Sequence, residues 1–233
     1  MIENGLVWLR RDLRLHDHAA LQTCLNEAKN TYLVFIFDEV ILTPLRNKSR
    51  SDKRVHFIAE ALLEISNTLA ELSAGIIIRY GNPTAMIPSI VDEFNIEKLY
   101  YNRDYAPYAQ LRDSAVNQTL ATKGVEVQSF KDHVIFEPDE ILKDDGSPFR
   151  VFTPFSRAWL KSLYAGASKV KPCHYELDRI KNNLVKRYTN LAEILAIADF
   201  DSDQPFLTGG SRAGLGKLDQ FSHAIADYET RRR

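Results

Sequence analysis

The amino-acid sequence predicts an α/β fold, a Rossmann-like parallel sheet of about five strands with helices on both faces. Five short apolar segments alternate with helical periodicities up to Lys131, and beyond Phe136 the strand pattern stops. Parallel neighbours cannot be joined by a tight turn, so each strand needs a crossover helix before the next.

Gly5 to Leu9 is a continuous apolar run, as expected of a strand covered on both faces. Asp17 or His18 then stands ahead of Ala20, Leu21, Cys24, Leu25 and Ala28, whose spacing reads as a capped first helix. Tyr32 to Phe37 is the second strand. Val55, Ile58, Ala59, Leu62, Ile65, Leu69 and Leu72 recur at steps of three and four, the clearest amphipathic helix of the chain. Gly75 to Tyr80 follows as the third strand. Thr84 to Phe94 is a helix in which Pro88 either ends a first turn or kinks the element. Lys98 to Tyr101 and Val125 to Phe130 complete the sheet.

The segment EPDEILKDDGSPFRVFTP after Phe136 is rich in turn residues and reads as an interdomain connector. From Pro154 the pattern is helical, with Phe155, Ala158, Trp159 and Leu163 on one face and a last helix from about Ser211 to Glu229. This region is short for a core of its own and is expected to lean on the sheet or on a part that is missing. Trp8 and Trp159 read as core residues.

The 233 residues are 45% hydrophobic, enough for a sizeable core. No apolar run approaches the roughly 18 residues of a membrane span, and the start lacks the order of a signal peptide. A cytosolic place is the expectation. Cys24 and Cys173 do not make a disulfide framework, and Cys173-His174 has no second pair at ligand spacing, so no metal site is expected. Net charge is −1, divided unevenly: 17 Lys and Arg against 22 Asp and Glu up to residue 150, then 13 against 9. The mild basic excess permits a polyanionic partner without requiring one.

WLRRDLRLHDHAAL (8–21) places three arginines between the first strand and the first helix, where amide donors and the helix dipole favour an anion. The alternative is that Arg10, Arg11 and Arg14 pair with Asp12 and Asp17 on a solvated loop. TGGSRAGLGK does not have phosphate-loop spacing: one residue too many separates Gly210 from Gly216, and Leu218 stands where Ser or Thr would hold magnesium. It reads as a glycine turn opening a helix. No GxSxG or Ser/His/Asp spacing of a hydrolase is present.

WLRRDLRLHDHAAL, FIFDEVIL (35–42), YGNPTAMIPSIVDEF (80–94), YYNRDYAPYAQLRD (100–113), FKDHVIFEPDEILKDDGSPFRVFTPFSRAWL (130–160) and ADYETRRR (226–233), in this order, resemble the photolyase and cryptochrome family, class I type deoxyribodipyrimidine photolyases. The resemblance implies an α/β antenna domain over 1–135, a connector over 136–175 and the incomplete start of a helical FAD-binding domain over 176–233. In that family a reduced flavin passes an electron to a pyrimidine dimer flipped out of the DNA stack. The rest of the flavin site, the dimer cavity and the redox tryptophans belong to the part that follows, so the resemblance implies no catalytic residue within this chain and no repair by it alone. Tyr228 matches an FAD-contacting tyrosine and Arg232 a DNA-contacting arginine. The same scaffold also serves blue-light receptor cryptochromes, and a stand-alone chromophore- or nucleotide-binding α/β protein is a further alternative.

The resemblance also implies an antenna pocket between the first loop and the ends of the second and fourth strands. Its candidate liners are Arg11, Phe37, Asp38, Arg103, Asp104 and Tyr105: rings to stack, a cation for a phosphate, and carboxylates for ring nitrogens or hydroxyls. Folate-binding relatives carry an Asn-Glu pair where this sequence has Tyr108 and Ala109. A deazaflavin or flavin is therefore favoured over a folate.

Overall fold

The computed structural model describes residues 1–166, 172–177, 180, 185–202, 208–225 and 228. The order is β1 (Ile2–Leu9), α1 (Ala19–Glu27), β2 (Ala28–Asp38), α2 (Glu39–Arg46), α3 (Lys53–Glu71), β3 (Ile77–Gly81), α4 (Pro83–Glu93), β4 (Lys98–Asn102), α5 (Pro107–Thr122), β5 (Glu126–Phe130), α6 (Phe152–Tyr164), α7 (Leu191–Ile197) and α8 (Ser211–Ala224). The five strands run parallel in the order β3-β2-β1-β4-β5. The chain steps outward from β1 to β3, then returns to the other side of β1. That reversal leaves a crevice at the carboxyl ends of β1 and β4.

Alternation along the strands divides the core. Val7, Leu9, Leu33, Phe35 and Phe37 face α1 and α3, whereas Leu6, Trp8, Val34 and Ile36 face α4 and α5. His18 is the α1 cap, its Nδ1 accepting from the Leu21 amide at 3.1 Å. Ala28, placed by its spacing on that helix, instead begins β2, because the helix ends one residue earlier. Gly5 lets α1 approach: a Cβ there would stand 2.6 Å from Cys24 Sγ and 3.0 Å from Ala28 Cβ. Pro88 lies inside α4, on its buried side, and the helix continues through it.

Ile180, Tyr188, Ile194, Leu195, Ala198 and Phe200 join the same core as α1 and α3, so this stretch leans on the sheet side as expected. Ser66 Oγ of α3 donates to the Tyr188 carbonyl (3.0 Å) and accepts from its amide (2.9 Å). Two features differ from the sequence expectation. Trp159 is only half-buried, edge-on to Phe136 at 5.6 Å, because α6 buries no residue fully. α2 was not foreseen: Asp38 caps it through Val40, and Pro44 lies within it.

Candidate functional site

The crevice holds a cavity of about 300 Å³. Trp8 and Arg10 come from the end of β1, Phe37 and Asp38 from the end of β2, Ile41 and Leu42 from α2, and Tyr108, Ala109 and Arg112 from the first turns of α5. It is a narrow, mostly apolar slot of the size that takes a ring system. Arg10, Arg11 and Ile58 form a wall shared with a second cavity of about 720 Å³, where Arg14, Lys53, Arg54 and Phe57 meet Gly210 and Ser211. An apolar slot and a basic chamber thus lie on either side of a shared wall.

Beneath the slot runs a chain of buried charges. Arg10 pairs with Asp113 (2.5 Å) and donates to the Asn102 carbonyl. Asp113 also accepts from Arg112 at 3.0 Å, and Arg112 lies 3.6 Å from Asp38. Both guanidinium carbons stand 4.9 Å from the Trp8 ring centre. Asp38 accepts from Tyr108 OH at 2.8 and 3.0 Å. Burial first, then Asp38, raises the Tyr108 phenol above its usual range.

Asp12 anchors the loop below. Its carboxylate accepts from the Arg10 amide (2.8 Å) and Asn102 Nδ2 (2.7 Å) and lies 2.9 Å from His18 Nε2. Burial alone would raise its carboxyl, but hydrogen bonding and charge from His18, with smaller help from Arg10, hold it well below the ordinary range. Neither reading of the three arginines survives whole. Arg10 is spent on Asp113, and Arg14 on Asp132 (2.6 and 3.0 Å) and the Asp17 carbonyl. These partners lie too far along the chain for spacing to reveal. Arg11 keeps 71% of its side chain exposed, 3.8 Å from Asp104.

Arg11, Phe37, Asp38 and Asp104 line the slot together. Arg103 and Tyr105 turn instead into a neighbouring groove with Glu137. Arg103 donates to Glu137 (2.8 Å) and to the Ser129 carbonyl (3.1 Å), and Tyr105 is pushed up to about 12 by burial and Glu137. Sequence reasoning missed Arg112 and gave Tyr108 no role. Their signal was a four-residue spacing just after Pro107, a helix opener.

The glycine turn opens α8 as read, with Gly210 at φ +95°. Its amides already hold carboxylates of this chain: Gly209 donates to Glu60, and Ser211 and Arg212 donate to Glu64 at 3.1 and 3.2 Å. Tyr228 lies half-exposed, its ring edge-on to Phe221 at 6.0 Å, and Arg232 lies outside the described residues. A single half-exposed tyrosine does not make a flavin site.

A family model for DNA photolyase matches residues 5–174. The chain belongs to the DNA photolyase family. The deoxyribodipyrimidine photo-lyase of Synechococcus sp. PCC 6301 is 27% identical over 97% of this chain and 47% of its own length. The chain thus spans about half the length of such photolyases. An uncharacterised 31.6 kDa protein from Synechococcus sp. PCC 6716 is also 27% identical, over 97% of this chain and 78% of that protein. Among solved structures, the archaeal photolyase from Sulfolobus tokodaii, seen with two FAD molecules and an implied novel light-harvesting cofactor, superposes with a TM-score of 0.64 at 25% identity, over 91% of this chain and 45% of that one. Among the described residues no helix is long and apolar enough to cross a membrane.

Proposed function

We propose that this chain is the light-harvesting portion of a photolyase: an α/β domain that binds an antenna chromophore, followed by a connector and the first helices of the FAD-binding domain. The whole cytosolic protein would act on UV-damaged DNA, splitting pyrimidine dimers from photoexcited reduced FAD. The chain by itself is repair-inactive on this reading. The observation that carries it is the apolar slot that shares the Arg10, Arg11 and Ile58 wall with a basic chamber. A tricyclic ring between Phe37 and Tyr108, with an anionic tail toward the exposed Arg11 and the start of α3, suits that shape. The pigment class that fits is a flavin or deazaflavin, which when bound would absorb near-ultraviolet or blue light and pass on its excitation. Arg11 and Asp104 line the slot in support of this reading; Arg103 and Tyr105 are better assigned to the neighbouring groove.

The test is the absorption spectrum of the purified chain, followed by titration with riboflavin, FMN and FAD. Saturable one-to-one uptake with a visible band supports the reading, and uptake of none of them overturns it. One observation favours a second reading, a chromophore-binding protein that functions without the full helical half: the 31.6 kDa relative is matched over 78% of its length. Pigment uptake without any effect on DNA repair by the native gene product would select it.

A further inference from the structure

The two walls of the slot are joined by a side-chain clasp. Asp38 ends β2 and caps α2, while Tyr108 and Arg112 sit one turn apart at the start of α5. Tyr108 OH donates across the gap to both Asp38 oxygens, the Val40 amide takes Oδ1 at 3.0 Å, and Arg112 Nη1 approaches Oδ2 at 3.6 Å. Asp38 and Arg112 are 6% and 8% exposed, so the contact is nearly dry. With its single proton directed at Asp38, the Tyr108 oxygen offers the slot only lone pairs.

Resting on the reading that the slot holds the ring of a pigment, we propose that Tyr108 is a positioning residue. It fixes the Asp38 carboxylate and the distance between α2 and α5, and so sets the width and polarity of the ring end of the cavity. The anion end, at Arg11 and the start of α3, is separate from it. Removing the phenol hydroxyl frees Asp38 to rotate and lets the walls part, at the expense of ring binding alone. A general loosening of the fold would weaken both ends together.

The experiment titrates the chain and its Tyr108→Phe variant with riboflavin and FMN by fluorescence quenching, and with pyrophosphate by calorimetry. Tyr108→Phe is expected to weaken riboflavin and FMN by the same factor, about tenfold for a hydrogen bond to a charged group, and to leave pyrophosphate unchanged. Unchanged riboflavin affinity, or pyrophosphate weakened in step, overturns the proposal. Asp38→Asn, which keeps shape and the capping acceptor, gives the same split if Tyr108→Phe folds poorly. Should the unaltered chain take up neither riboflavin nor FMN, the pigment reading fails. Amide exchange at Val40 then decides the clasp: faster exchange in Tyr108→Phe upholds it, and an unchanged rate overturns it.

Discussion

His18 Nε2 lies 2.9 Å from Asp12 Oδ2, and neither side chain reaches solvent. The pair joins the end of β1 to the cap of α1, with Asn102 of β4 as its third member. Removing the Asp12 carboxylate takes a buried charged acceptor from the Arg10 amide, Asn102 and His18 at once, so Asp12→Asn is expected to cost about 3 kcal/mol in urea unfolding near neutral pH. Because the folded state holds the Asp12 carboxyl low, its contribution is complete above the unfolded value of about 3.9 and drains away as pH falls toward the folded one. The gap between the two proteins should therefore shrink at pH 3. A gap that stays constant from pH 6 to pH 3 would remove Asp12 as its source.

The two thiols differ in environment. Cys24 is fully buried against Thr31, and burial pushes its thiol up to about 12. Cys173 is half-buried, raised more modestly by burial and by Asp17 and Asp132. A disulfide reagent at pH 8 should modify one thiol in the native protein and two after denaturation, with Cys173 identified by peptide mapping as the fast site. Equal rates at both would contradict the packing of α1 on β1.

Gly5 supplies a second check on that packing. Gly5→Ala puts a methyl into Cys24 Sγ and the Ala28 Cβ, and overpacking of this kind costs about 1–3 kcal/mol. A thermal midpoint lowered by several degrees is expected, and Cys24→Ala in the same chain should recover part of it. No recovery would place the strain elsewhere.

α6 and α8 bury none of their residues fully, and Phe152, Tyr164, Leu215 and Leu218 are between 58% and 83% exposed. Apolar surface of this extent promotes association. Light scattering of the chain alone is expected to give a mass that climbs with concentration above 26.6 kDa, and Leu215→Gln with Leu218→Gln to reduce it. A clean monomer at all concentrations would refute this.

The sheet was legible because its strands are bare apolar runs: Leu6 to Leu9 and Tyr32 to Phe37 have no competing helical period. α2 was not, since Pro44 and three β-branched residues mask an eight-residue helix whose stability comes from its Asp38 cap and its packing. At the site, residue types adjacent in sequence were readable and pairings across it were not. The sequence offered Arg10 and Arg14 only Asp12 and Asp17 as nearby partners, whereas their partners Asp113 and Asp132 stand 103 and 118 positions away. Arg103 and Tyr105 share a loop with Asp104, but Asp104 borders both the slot and the neighbouring groove whereas the other two border only the groove. A cavity lies in the region the family resemblance named for a pocket, whereas only three-dimensional contacts reveal the clasp at Tyr108.

α3 carries Lys53 and Arg54 at the basic chamber and, farther along the same rod, the carboxylates of Glu60 and Glu64 that grip the opening amides of α8. From Lys53 to Glu64 the helix advances roughly 16 Å, a span set by backbone hydrogen bonds rather than by a loop. Radiationless exchange of excitation between two dyes falls steeply with separation and with the angle between their transition moments. A single stiff helix bearing both anchor points acts as a gauge bar. On the proposed antenna reading, it would keep the seat of the pigment and the start of the flavin domain at a constant interval and bearing.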